Sequence, residues 1–471
     1  MRLVIACDEY IGIKRRALDM LSGELGSLTD YVLPLVTMDD AAARDTSRAL
    51  IAIGESGELF SELEKRGLLP KPTGEEGYSV YVGEYGGRPV MAVRGGGAVG
   101  TLYGCYALFD KYLGAHLLGL GITARELLSQ DSYPAWSLSR TPAVKTRAIW
   151  TWGHVIYDYR GFFSNMARLS LNEAVIWNDR LPMNADEAVA FAHSLGIKVI
   201  WGFAWGWTTS CEQYASALTE ADFPRIKEQV LELYEREYKN APGDGIYFQS
   251  FTELKRSFVG DICIAEAVTR LVNETASELL LRYPELHIQF GLHASSVKEQ
   301  LDIIAKVDKR LYIVWEDLGA FPFSYETSDT EGYRECSETL NRLTSLRGKG
   351  ELFGAVLKGM PNLDWTRFEH FTERYVMGCA PREFIEKRYE DKLARWRELG
   401  RGWLKSASLA AETVKKIAHA PESIAEMLVE DALFEYRIML PTALVAELLI
   451  DPMRNTDELI AELRRESFIF E

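Results

Sequence analysis

Three acidic side chains stand where apolar runs end. Glu253 closes the run that starts at Gly245 and passes through Ile246, Tyr247 and Phe248, and the Glu316–Asp317 pair follows the run that ends in Ile313, Val314 and Trp315. Carboxyl groups on separate elements are what cleavage of an acetal between sugars needs: one protonates the leaving oxygen, the other serves water or attacks. Glu253 is the first candidate for the acid, because Thr252 and the neighbouring aromatic residues would partly desolvate it and raise its pKa. Glu316 and Asp317 are both candidates for the second carboxylate, with a structural ion pair as the competing role for one of them.

Other polar and aromatic residues recur at the same kind of position. They are Trp150, Trp152 and His154, then Asn178 and Asp179, Trp205 and Trp207, Gln249, His293, Trp315 and Lys358. An indole offers a flat apolar face and one N–H donor, which suits the C–H face of a sugar ring. With Trp177 and Trp201, seven of the eleven tryptophans lie at or near such ends, which favours a sugar cleft over core packing for the cluster, though not for any single ring. His154 and His293 could donate to hydroxyls, and Asn178 and Asp179 could grip them. Lys358 could meet an anionic group or neutralise the acids. The histidines are isolated, and no H-E-x-x-H or C-x-x-C occurs, so neither a metal nor another cofactor is expected.

The elements that must carry these residues read as repeated strand–helix units. Strands are predicted at 146–152, 173–177, 198–204, 245–251, 287–292, 310–315 and 352–357, with an eighth at 375–379 as the candidate. Eight such units define an α/β fold, a (β/α)8 TIM barrel over residues 136–381, whose active site belongs at the carboxyl ends of the strands. Residues 1–135 read as an α+β domain with strands at 2–9 and 49–54 and a hairpin at 78–93. Residues 382–471 read as a helical domain with amphipathic runs at 384–399, 404–418 and 424–449. Gly95-Gly96-Gly97 lacks the Lys-Ser/Thr of a phosphate-binding loop and reads as a tight corner.

The segment Gly77-Tyr-Ser-Val-Tyr-Val82, followed by Arg88-Pro-Val-Met-Ala-Val-Arg-Gly-Gly-Gly97 and the helical run to Asp110, resembles the small domain that precedes the barrel in glycoside hydrolases of families 20 and 67. Those are the β-N-acetylhexosaminidases and α-glucuronidases. The resemblance covers roughly residues 1–130 and implies a glycoside hydrolase barrel after it. It implies that Glu253 occupies the general-acid position and that the sixth-strand acids resemble the base position of the α-glucuronidases. Family 20 places an Asp before that Glu to orient an acetamido group, where this chain has Thr252. The seventh strand offers Lys358 instead of a Glu. The expectation is an inverting glycosidase, with an anionic or N-acetylated sugar as candidate substrate. A non-catalytic carbohydrate-binding barrel is the alternative.

The formal charge of −16 argues against a nucleic-acid partner. No apolar run is long enough to span a membrane. Six scattered cysteines read as reduced core thiols of a cytoplasmic protein. Carbohydrate is the expected partner, and a homodimer is a candidate assembly.

Overall fold

A computed structural model describes residues 2–152, 156, 158–177, 181–205, 218–254, 256–293, 296–316, 330–347, 351–357, 381–418, 422–429 and 434–471. The amino-terminal part holds a six-stranded sheet of β1 (Arg2–Cys7), β2 (Leu35–Thr37), β3 (Arg48–Gly54), β4 (Tyr78–Tyr85), β5 (Arg88–Gly95) and β6 (Trp136–Arg140). Their order across the sheet is β2-β1-β3-β5-β4-β6, with β4 antiparallel to both neighbours. Alternate residues serve two cores. Leu3, Ile5, Ile51, Ile53, Val80 and Val93 join the large core, while Val4, Ala6, Leu50, Ala52, Val90 and Ala92 face a smaller one. Burial on both faces explains why these strands read as continuous apolar runs. Gly86 and Gly87 turn the β4–β5 hairpin at φ of 63° and 79°, the left-handed conformation a tight hairpin demands.

The barrel follows. Its staves are β7 (Thr146–Trp152), β8 (Glu173–Trp177), β9 (Lys198–Ala204), β10 (Gly245–Gln249), β11 (His287–Leu292), β12 (Tyr312–Trp315), β13 (Phe353–Leu357) and β14 (Ile424–Leu428). All pair in parallel, and β14 closes on β7, with Glu426 opposite Ala148. The first seven agree with the sequence reading to within two residues. The eighth does not: it is Ile424–Leu428, a stretch whose periodicity reads as helix. The segment 375–379, named for that place, lies outside the described residues. Helices Arg382–Leu404 and Ala407–Ile417 therefore lead into the last stave, and Leu440–Ile450 and Thr456–Leu463 follow it.

Side-chain parity divides the barrel residues into two sets. Trp150, Val175, Trp177, Ile200, Tyr247, Tyr312, Val314, Val356 and Ile424 fill the interior. Trp201, Phe203, Phe248, Phe290, Ile313 and Trp315 belong to the outer core beneath the helices. Gly202 makes room for Trp177: a Cβ there would lie 2.6 Å from the indole.

Buried ion pairs join the two parts. Arg147, fully buried on β7, donates to the carbonyls of Ser170, Val144 and Lys145 and to Glu76 Oε2 at 2.6 Å. Lys111, on the long helix of the amino-terminal part, reaches Glu447 at 2.6 Å and Glu466 at 3.2 Å. Arg168 meets Asp110 at 2.9 Å.

Candidate active site

Period two along the staves decides which tip residues meet. In β10, Tyr247 and Gln249 point inward between the outward Ile246 and Phe248. In β11 the inward set is His287, Gln289 and Gly291, and continuing the alternation brings His293 to the mouth. In β12, Tyr312 and Val314 face inward, so Glu316 does too, while Trp315 between them turns out. Three adjacent staves thus converge on one carboxylate.

Glu316 is completely buried. The Tyr247 hydroxyl donates to its Oε1 at 2.7 Å. The Gln249 amide donates to Oε2, and His293 Nε2 lies 2.8 Å from that same oxygen. Its backbone N–H donates to the Leu292 carbonyl at 3.0 Å. Burial, then the charges of Glu316 and Glu426, push the Tyr247 phenol far above its ordinary pKa, so it stays a donor. Gly291 belongs to the same assembly. A Cβ on it would lie 2.1 Å from Glu316 Oε1 and 2.5 Å from the Tyr247 oxygen, so only glycine leaves room for the carboxylate.

Thr252 holds the neighbouring tips together. Its buried hydroxyl accepts the His293 N–H at 3.1 Å, and its carbonyl accepts from Ser296 Oγ at 2.8 Å. Phe251–Glu253 forms a single 3-10 turn beyond β10, not a continuation of the strand. Glu253 stands exposed on that turn, against the expectation that Thr252 and aromatic rings would shield it.

The tryptophans divide by parity, and this corrects the sugar-platform expectation for three of them. Trp205 stacks on Phe248 with ring centroids 3.6 Å apart, and Trp315 lies in the same outer core; both are fully buried. Trp150 faces the interior but is equally buried, tilted against Tyr247 with centroids 5.8 Å apart. Their faces are taken by protein. Trp152 ends β7, and nothing is described of its side chain. His154, Asn178, Asp179, Trp207, Asp317 and Lys358 lie outside the described residues.

The sequence reading passed over Tyr247, Gly291 and two further acids inside the barrel. Glu173 accepts from Gln289 Nε2 at 2.7 Å, and burial pushes its pKa up to about 7 even against that hydrogen bond. Beside it, burial holds His287 down to about 4 and hence neutral. Glu426 is completely buried on β14. The available signal was parity: Tyr247 is two residues before Gln249, and Gly291 two before His293. Among the described residues, no three His, Cys, Asp or Glu side chains are grouped to hold a metal ion, and no helix is long and apolar enough to cross a membrane.

No family model matches the chain, and no curated protein does. Solved structures similar to it are glycoside hydrolases. One is a family 138 enzyme described as targeting pectin rhamnogalacturonan II, with a TM-score of 0.49 and 14% identity over 98% of this chain and 52% of that one. Another is the family 89 enzyme of Clostridium perfringens, solved with GlcNAc-α-1,4-galactose, with a TM-score of 0.48 and 10% identity over 98% and 51%. An O-GlcNAc hydrolase of Thermobaculum terrenum matches over 68% of this chain and 62% of that one, with a TM-score of 0.39 and 12% identity. The chain spans about half the length of the first two. Likenesses at this level carry no information on substrate or chemistry. Families 20 and 67 are not singled out by them.

Proposed function

We propose that the chain is a glycoside hydrolase working by two-carboxylate chemistry at the carboxyl end of its barrel. The observation that carries this is the convergence of Tyr247, Gln249 and His293 on the Glu316 carboxylate. In this reading Glu253, exposed on the turn after β10, protonates a glycosidic oxygen as its C–O bond breaks. The second carboxylate comes from the 316–317 pair: it takes a proton from water as the water oxygen attacks the anomeric carbon. Thr252 is buried and engaged with His293 and Ser296, so it is not available to an acetamido group. That supports a sugar without an acetamido group over an N-acetylated one.

One observation favours a second reading. Glu316 is sealed and already accepts hydrogen bonds, as in a barrel that binds carbohydrate without cleaving it. A screen of aryl glycosides, glucuronides and N-acetylhexosaminides included, separates the two. For a hydrolase, Glu253→Gln lowers kcat by about 10²–10⁴-fold while sugar binding persists. Comparing Glu316→Gln with Asp317→Asn then identifies the second carboxylate. Binding of the same sugars with no turnover by wild type would leave only the carbohydrate-binding reading.

A further inference from the structure

Glu426 is the most anomalous side chain in the barrel. It sits in the middle of β14, fully buried, and neither carboxyl oxygen has a hydrogen-bond partner among the described residues. Its neighbours in register are apolar, Ala148 on β7 and Val356 on β13. Two more acids face the same interior: Glu173 stands across Ala148 in register, and Glu316, one residue past Trp315, stands level with Val356 and so with Glu426 across β13, while from β10 the Tyr247 phenol feels both Glu426 and Glu316. Lys198 and His287 lie by Glu173. An unpaired charge in such a place is far too costly to persist, so the carboxyl must be neutralised by a cation or by a proton. The described side chains supply neither a basic partner nor a metal-holding group.

We propose that Glu426 and Glu316 form a pair of carboxyl groups with one proton between them. Glu426 keeps the proton and Glu316 the charge, so Glu426 is a positioning residue for the carboxylate at the mouth. Glu316 has the donors that stabilise an anion, namely Tyr247, Gln249 and His293; Glu426 has none among the described residues. Like charges sharing one low-dielectric space ionise in turn, and the group with the donors ionises first. The positioning role rests on the hydrolase reading, whereas the protonation pattern does not.

The test compares the stability of wild type and Glu426→Gln across pH, with no substrate present. In the unfolded chain Glu426 ionises near the ordinary glutamate value, about 4.3. Folding then requires proton uptake, and wild type loses stability as pH rises above that point, which the Gln variant does not. The variant should therefore be the more stable protein by an amount that grows as pH rises above the ordinary glutamate value, with an unfolding constant more than about tenfold smaller near neutrality. A variant less stable at every pH would mean that Glu426 is charged and partnered, and would overturn the pair. Should the variant fail to fold, infrared spectra decide, taken with Glu173→Gln and Asp110→Asn in place to remove two other acids that burial raises to about 7. A protonated-carboxyl band at neutral pH that vanishes on alkaline titration upholds the pair, and carboxylate bands alone refute it. For cleavage, the alkaline limb of kcat/KM should move to higher pH in Glu426→Gln; an unmoved limb overturns the positioning role. Stability that follows the expected course in a chain that cleaves no glycoside refutes the hydrolase reading and leaves the pair standing.

Discussion

Glu316 depends on its neighbours so closely that changes beside it should act like changes to it. Gly291→Ala places a methyl 2.1 Å from Oε1, and backbone on a packed stave cannot retreat that far. We expect folded protein with at least about 10²-fold lower kcat/KM, since a misplacement of about 1 Å near a reacting group has that effect. Tyr247→Phe removes one donor without changing shape, which should lower stability by about 1–3 kcal/mol in a denaturant titration. At this scale the sequence showed residue types and not directions. It named Glu316, Gln249 and His293, which meet, and also Trp205 and Trp315, which do not. Trp315 and Glu316 are adjacent in the chain and lie on opposite sides of the barrel wall, and only a fixed strand phase tells them apart.

The elements were legible where their burial is uniform. Seven staves are short apolar runs between turn signals, and each emerged from that pattern. The eighth, Ile424-Ala-Glu-Met-Leu428, breaks it. Apolar residues at 424, 427 and 428 have helical spacing, a glutamate stands in the middle, and four of the five residues are good helix formers. The residue that hides the strand is Glu426, the acid the barrel interior holds. The elements are then tied by backbone contacts that no pattern reveals. Thr252→Val keeps the shape of the β10 tip and leaves the His293 N–H without its acceptor, a loss of about 1–3 kcal/mol measurable by thermal unfolding.

Over the whole molecule, buried acids shape the response to pH, and they divide: Glu447 at the seam is held down, whereas burial raises Asp110 and Glu466 at the same seam and Glu173 and Glu426 in the barrel. Burial alone would raise Glu447, but the Lys111 ammonium overcomes it and holds the carboxyl below its usual range. That contribution is present above the ordinary glutamate pKa and is lost as pH falls through the lowered value. Glu173 and Glu426 are raised, so their contribution is fully present in acid and fades as pH rises towards their folded values. Thermal midpoints should therefore peak on the mildly acidic side, about pH 5–6, and fall in both directions. Lys111→Met strips Glu466 of its ammonium partner and leaves Glu447 only the distant Arg454 at 3.9 Å, and should remove about 3–5 kcal/mol. Calorimetry should then resolve separate transitions for the amino-terminal sheet and the barrel.

The lateness of β14 bears on how the chain is made. Until residue 428 has left the ribosome, β7 and β13 each present a naked edge of unpaired amides, and a seven-staved sheet with two open borders invites the wrong strand to add itself. Shortening the chain at 381 would make that transient permanent, and such a fragment should emerge as aggregate, with no soluble barrel to be trimmed out of this protein.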